Sequence, residues 1–381
     1  GIGGGVKDIK CAFVTGGTGL LGINIVKELI QNTSAKIILL VRNPTQEKRD
    51  KFFQDLLAFG GGLWPVGFSF GRIKIVEGDV ALPHLGIAPG IRSRLYSEID
   101  IVYHSAAVIK LSGAEDQVQS ANVQGTRNVL DFALKCKGKG RLDRVVHVST
   151  IAVSGDRSGV IYEDDLDEGQ AFNSPYEKSK FQAEKIVGEY RRKGLNILIV
   201  RPSMVIGDSR TGFTNHYNIF YFQLRMLSQG VLDIIPLNED AAYNLIPVDY
   251  AAKAICLISY DEDIQNGNFH IVNTHEVNVK HFIEKVSSYL GYKKPEFVSS
   301  VDVNPAALGG VRGKLLNIYY PYITTTKTFD DMNAHNALHP HRFAWPRMEN
   351  TLLTNMLDAC IFSGYLRLGT EVGYEAGAYN S

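Results

Sequence analysis

Apolar runs of strand length alternate with stretches of helical period through the first half of the chain. Ala12 to Thr15 leads into Leu20 to Gln31, and Lys36 to Val41, Ile73 to Glu77, Ile101 to His104, Val145 to Ser149 and Ile197 to Arg201 follow, with Gln117 to Leu134 as a second helical stretch. Near-continuous apolar strands separated by amphipathic helices predict an α/β fold, a doubly wound parallel sheet covered on both faces. Right-handed crossovers bring the carboxyl ends of such strands to one edge, where open sheets bind ligands. The residues just past each strand end are therefore the functional candidates.

The rhythm loosens after Gly207. Residues 208–243 are rich in aromatics and asparagine, and the stretch from 276 onward mixes short helical patterns with turns. Between them, Ile246-Pro247-Val248-Asp249-Tyr250 leads a helical pattern and Asn268 to Val272 reads as a strand, so both return to the sheet. A chain of 381 residues exceeds one typical core. The expectation is a nucleotide-binding lobe over 8–207 and 244–275, with a smaller, mostly helical substrate lobe over 208–243 and 276–381.

Forty basic and forty acidic residues argue against capture of nucleic acid or anionic membrane by bulk charge, so an anionic ligand must be held locally. Cys11, Cys136, Cys256 and Cys360 lie far apart without metal-type spacing, which reads as a reduced, cytoplasmic chain with no metal site. No apolar stretch reaches the roughly 18 residues needed to span a bilayer. The first residues carry neither a basic region nor an apolar signal core. Oligomeric state is not legible.

The apolar run Cys11 to Val14 ends in Thr15-Gly16-Gly17-Thr18-Gly19-Leu20-Leu21-Gly22. A glycine-rich turn between strand and helix lets the backbone approach a pyrophosphate, and the helix start offers amides and the positive end of its dipole. Alone such a string is weak; strand before and helix after strengthen it. About 20 residues past that turn, an acidic side chain would grip the ribose hydroxyls of NAD, yet Arg42 stands there. A guanidinium can hold a 2′-phosphate with two parallel bonds, so NADPH is the expected cofactor. Lys48 and Arg49 either add charge there or are simply solvated. Asp79 and Val80 follow one strand, where the carboxylate can meet an adenine amino group; Ser105, Ala106 and Ala107 follow another, where small side chains let the backbone sit close to a cofactor. Each is equally readable as a tight turn.

Ser174-Pro175-Tyr176-Glu177 is a helix start: serine as N-cap, proline at the first helical position, glutamate closing a capping box. Tyr176 and Lys180 then share one helix face, four positions apart. A free phenol titrates near pH 10, and a cation about 4 Å away at an effective dielectric near 20 favours phenolate by roughly 4 kcal/mol before desolvation. The pair is expected to exchange a proton near neutral pH. The strand ending at Ser149-Thr150 offers a hydroxyl to hold a carbonyl oxygen.

Together these elements resemble the extended branch of the short-chain dehydrogenase/reductase family over residues 10–275, with its Rossmann lobe. The resemblance implies that Thr15 to Gly22 is the cofactor motif, that Tyr176 and Lys180 are the catalytic pair with Lys180 also on the nicotinamide ribose, and that Thr150 is the hydroxyl partner. It implies further that Asn122 is the structural and relay asparagine and that Pro202, Ser203 and Val205 line the nicotinamide. Finer strings, among them Leu40-Val41-Arg42, Glu77-Gly78-Asp79-Val80, His104-Ser105-Ala106-Ala107-Val108, Gly207-Asp208-Ser209-Arg210-Thr211-Gly212 and Ile246-Pro247-Val248-Asp249-Tyr250, are similar to the thioester reductases and fatty acyl-CoA reductases. That implies NADPH-dependent reduction of an acyl thioester, on coenzyme A or a carrier protein, to aldehyde and in a second round to alcohol. Sugar-nucleotide epimerases or dehydratases and ketone reductases of the same branch share several of these strings. A binding module that senses NADP without chemistry is the non-enzymatic alternative, and it predicts a missing or displaced tyrosine and lysine.

The acidic run Glu163, Asp164, Asp165, Asp167 and Glu168 reads as a solvated loop rather than a metal site, and His339-Pro340-His341 as surface. The aromatic stretches Phe213 to Phe222 and Ile318 to Tyr322 read as core or, where their lobe covers the sheet edge, as walls of an acyl tunnel.

Overall fold

The computed structural model describes residues 8–62, 64–107, 118–304, 309–324 and 326–369. Seven strands form its central sheet: β1 (Cys11–Thr15), β2 (Lys36–Val41), β3 (Ile73–Glu77), β4 (Ile101–His104), β5 (Arg144–Val148), β7 (Ile197–Pro202) and β12 (Asn268–Ile271). Their order is β12-β7-β5-β4-β1-β2-β3, and each neighbouring pair is parallel. This is the doubly wound arrangement expected from the alternating pattern. The order reverses between β1 and β4, and ligands bind at such a reversal.

Alternate residues of each strand face opposite layers. Ala12 and Val14 of β1 join a core built with the helices Leu20–Asn32, Gln46–Gly60 and Val248–Tyr260. Cys11 and Phe13 join the other, built with Pro89–Glu98, Gly125–Gly138 and Pro175–Arg192. The predicted Gln117 to Leu134 helix is realised as a π-helical turn, Ser120–Gln124, running into Gly125–Gly138; Gln117 itself lies outside the described residues.

A third core gathers the helices Ile219–Ser228, Val279–Leu290 and Asn350–Phe362. Short two-stranded pairs attach it: β8 (Met204–Ile206) with β11 (Leu245–Pro247), β9 (Ile234–Leu237) with β14 (Glu296–Ser299), and β10 (Ala242–Tyr243) with β13 (Val277–Asn278). One stretch crosses back. Strand β15 (Lys327–Phe329) pairs with β6 (Gly159–Ile161), and Ala334, Ala337, Leu338 and Trp345 enter the first core of the sheet.

Glu163 explains that crossing. The residue is 2% exposed rather than solvated, and its carboxylate accepts the backbone amides of His270, Asn333 and Ala334 at 2.9, 2.6 and 3.1 Å. It ties the returning segment to the last strand of the sheet. Burial outweighs those donors and pushes its carboxyl up to about 7. Among the described residues, no helix is long and apolar enough to cross a membrane, and no group of His, Cys, Asp and Glu could hold a metal ion.

Candidate active site at the carboxyl edge of the sheet

The turn after β1 lies at the reversal of strand order. Gly16 has φ +67, and a Cβ there would stand 2.5 Å from Ala106 N; a Cβ on Gly22 would stand 2.0 Å from Gly16 O. Only glycine allows this packing of turn, helix start and the segment after β4. The helix Leu20–Asn32 begins at Gly19 without a side-chain cap, so the amides of Leu20, Leu21 and Gly22 are a cradle suited to a diphosphate. Thr18 is exposed, and its carbonyl accepts Asn215 Nδ2 at 3.2 Å. Asn215 thereby brings the segment after β8 over the turn, a contact with no local sequence signal.

Arg42 follows the end of β2 and is exposed. Its carbonyl accepts Lys48 Nζ at 2.8 Å, which draws a second cation to the same corner. Arg49 Nε instead donates to Pro44 O at 3.1 Å. Asp79 Oδ1 accepts Ala81 N at 2.9 Å, fixing the turn after β3, and Val80 packs where a Cβ on Gly125 would come 3.1 Å from its Cγ2. Ser105 and Ala106 are half-buried and Ala107 is exposed; Ser105 N donates to Thr15 O at 3.2 Å. Val108 lies outside the described residues.

The helix Pro175–Arg192 starts as its sequence predicts: Ser174 Oγ accepts Glu177 N at 3.2 Å. Glu177 reaches back, although its Oε2 accepts Asn173 N at 2.8 Å instead of the N-cap amide. Tyr176 is half-buried and Lys180 buried. Their electrostatics differ from the expectation. Lys180 Nζ donates to Val148 O at 2.7 Å, so its first bond goes to the end of β5. Desolvation, with Glu177 adding its charge, pushes the Tyr176 phenol up to about 12. Desolvation lowers Lys180 to about 8, opposed by Glu184 one helical turn on.

Thr150 follows β5, and its Oγ1 accepts Ala152 N at 3.1 Å, capping the single turn Ile151–Ser154. Beside it, Ser149 Oγ donates to Glu184 Oε1 at 2.6 Å. Arg201 reaches both oxygens of Glu184, Nε to Oε1 at 2.8 Å and Nη2 to Oε2 at 2.7 Å. This buried ion pair fastens the helix to β5 and β7. Lys180 and Glu184, spaced by four, could have flagged it in the sequence; Arg201 could not.

Asn122 is buried and donates from Nδ2 to Ser179 Oγ at 2.9 Å. Pro202 ends β7, Ser203 Oγ donates to Asn244 Oδ1 at 2.7 Å, and Val205 pairs with Ile246 in β8 and β11. Of the aromatic stretches, Phe213 packs on Phe59 with ring centroids 4.7 Å apart, Phe220 and Tyr221 enter the third core, and Tyr217 stacks on Tyr365 at 3.8 Å.

A family model described as male sterility protein matches residues 14–255. A linear gramicidin synthase of Brevibacillus parabrevis is 30% identical over 288 residues, which is 74% of this chain and 6% of that protein. The large subunit of L-2-aminoadipate reductase of Penicillium chrysogenum is 27% identical over 299 residues, 74% of this chain and 21% of that protein. The chain thus spans only a small part of these relatives' length. Among solved structures, the terminal R domain from the myxalamid PKS-NRPS biosynthetic pathway superposes with a TM-score of 0.79 at 28% identity, covering 95% of this chain and 93% of that one.

Proposed function

The chain belongs to the male sterility protein family, within the extended short-chain dehydrogenases/reductases and nearest in kind to their thioester reductases, an NAD(P)-dependent oxidoreductase by class, and on that premise we propose that it reduces an acyl thioester with NADPH. The observation that carries the proposal is the meeting, at one sheet edge, of the glycine turn after β1, the cation Arg42 after β2 and the Tyr176–Lys180 helix anchored to the end of β5. A reduced nicotinamide supplies hydride to the thioester carbonyl carbon.

Around it, this chain's own residues have separate tasks. Gly16, Thr18, Gly19, Leu20, Leu21 and Gly22 seat the diphosphate, Arg42 holds the 2′-phosphate, and Asp79 and Val80 flank the adenine. Ser105, Ala106, Ala107, Pro202, Ser203 and Val205 line the nicotinamide end, and Asn122 supports the helix of Tyr176. Thr150 holds the carbonyl oxygen while Tyr176 delivers a proton to it. A phenol held near 12 is fully protonated at neutral pH and fit to donate. Lys180, with one hydrogen on Val148 O, has donors left for the ribose and for recharging the phenol. The hemithioacetal collapses by breaking its C–S bond, its hydroxyl proton going to the departing thiolate so that free thiol and aldehyde leave, and a second equivalent of NADPH would reduce the aldehyde to alcohol.

We take 8–207 and 244–275 as the nucleotide lobe and 208–243 and 276–381 as the substrate lobe, with the β15 stretch reaching back between them. The relatives are named a linear gramicidin synthase subunit and an L-2-aminoadipate reductase, and the similar solved structure is a terminal R domain of a PKS-NRPS pathway, which supports a thioester presented on a carrier protein. The test mixes the protein and NADPH with acyl carrier protein thioester, acyl-CoA, aldehyde, ketone and UDP-sugar, and follows loss of absorbance. Thioester-dependent consumption is expected; consumption only with ketones or sugar nucleotides overturns the assignment.

A further inference from the structure

Six hydrogen bonds form one continuous line from the cofactor-facing turn to the helix of Tyr176. Ala106 N donates to Thr15 Oγ1 at 3.2 Å, Thr15 Oγ1 meets His104 Nδ1 at 2.7 Å, and His104 Nε2 meets Thr126 Oγ1 at 3.3 Å. Thr126 Oγ1 donates to Asn122 O at 2.8 Å. From the same asparagine, Nδ2 donates to Ser179 Oγ at 2.9 Å, and that hydroxyl donates to Tyr176 O at 2.7 Å. Thr15, His104, Asn122, Thr126 and Ser179 are all buried.

A hydroxyl has one proton, and that fixes the direction of each link. Thr126 gives its proton to a carbonyl, so it meets the imidazole only as an acceptor, and Nε2 must carry hydrogen. Burial, with the charge of Lys180, lowers His104 to about 3, so the ring is neutral and Nδ1 is bare. Nδ1 therefore accepts from Thr15, whose oxygen is left to receive the Ala106 amide. One tautomer satisfies every member. The neighbouring His147, paired with His104 across β4 and β5, has no hydrogen-bond partner at either ring nitrogen among the described residues and stands outside the line.

The two ends of this line are where movement matters. Gly16 lies so close over Ala106 that no Cβ fits between them, so a shift of the turn displaces the Ala106 amide. At the other end, Ser179 bonds the carbonyl of Tyr176 itself. We propose that His104, in its Nε2–H tautomer, is a positioning residue that couples the cofactor-facing turn to the catalytic helix, so that dinucleotide binding and the seating of Tyr176 are energetically linked. The inference rests on the nucleotide-binding half of the proposed function and is independent of the acyl substrate.

Two measurements test it without turnover. Nitrogen-15 NMR of the wild-type protein without cofactor reads the tautomer directly: Nε2–H with no titration between about pH 5 and 9 is expected. An Nδ1–H ring, or a midpoint near the ordinary value of about 6.5, overturns the proposal. The affinity for NADPH, read by nicotinamide fluorescence, is then compared for His104→Phe, Ser179→Ala and the double variant. Linked residues give a combined loss at least about threefold smaller than the product of the single losses; a simple product overturns the linkage. His104→Asn keeps an acceptor for Thr15 but no donor within reach of Thr126, so its effect should multiply with that of Ser179→Ala. Persisting non-additivity there overturns the route through Thr126. A chain that binds NADPH yet reduces no thioester leaves this inference standing, whereas a chain that binds no NADPH overturns the linkage together with the nucleotide reading.

Discussion

The Tyr322 hydroxyl donates to Glu177 Oε1 at 3.1 Å, across 145 positions of sequence. Glu177 follows Tyr176 directly and is buried, its carboxyl raised by desolvation, and Tyr322 comes from the helix Gly310–Thr324. The start of the helix that carries Tyr176 is thereby held by a segment far along the chain. Tyr322→Phe removes a donor to a buried acid, a loss of about 1.5–3 kcal/mol where that acid is charged. A Tm lowered by a few degrees and turnover lowered several-fold are expected, with NADPH affinity unchanged. Wild-type turnover in a destabilised variant would reduce the bond to scaffolding.

Arg42 stands where the cofactor's adenosine ribose would lie if the glycine turn holds the diphosphate. A guanidinium bonds a 2′-phosphate in two places and offers a neutral ribose hydroxyl far less. Arg42→Ala should raise the Kd for NADPH by about tenfold or more, the worth of one charged hydrogen-bond pair, and leave NADH almost untouched. Equal losses for both nucleotides in a fluorescence titration would remove Arg42 from cofactor choice.

The alternation of parallel strands and helices and the glycine turn were legible because they depend on local periodicity and on backbone that only glycine can follow, as at Gly16 and Gly22, whereas the strand order was not read from the sequence. The N-cap at Ser174 was legible for the same reason, although Glu177 closes on the Asn173 amide and not on the N-cap amide. Glu163 was not: its partners lie 107, 170 and 171 positions away, and in sequence it is one acid in a run of acids. Spacing placed Tyr176 and Lys180 on one face but could not tell where the ammonium points. Val148 O takes it, and burial then dominates the phenol.

Tyr176→Phe keeps the ring while deleting the proton that the proposed mechanism delivers to the carbonyl oxygen. General acid catalysis contributes about 10²–10⁴-fold, so a loss of kcat in that range is expected with unchanged NADPH binding. A variant that retains most of its turnover excludes the phenol as donor.

Lys180, lowered to about 8, gives the free enzyme a pH dependence that an ordinary lysine would not. Its ammonium is the active form in the proposed reaction, so kcat/KM should fall as pH rises through about 8. Glu184 opposes the lowering from one turn away, and Glu184→Gln should move that alkaline limb to lower pH. Because the same change leaves Arg201 buried without its carboxylate, the variant is also expected to lose about 3–5 kcal/mol of stability, and the profile is best taken at low temperature. An alkaline limb near the ordinary lysine value of about 10.4 contradicts the assignment.

Glu163 makes stability itself depend on pH. Its carboxyl is raised to about 7 in the folded chain against about 4.3 when unfolded. Between those values the folded state keeps a proton that the unfolded state has released, so the group's contribution is complete below about pH 4.3 and is lost as pH climbs to about 7, beyond which it is flat. The full span is about 4 kcal/mol. Glu163→Gln fixes the side chain in an uncharged form whose single oxygen still accepts the His270 and Ala334 amides that Oε2 holds, while the Asn333 amide loses its acceptor. The difference in Tm between wild type and this variant should therefore change steadily in the variant's favour from pH 4.3 to 7 and stay constant above. A difference that is flat across that interval, measured by thermal unfolding in matched buffers, means the buried carboxylate is ionised throughout and its three amide donors outweigh desolvation.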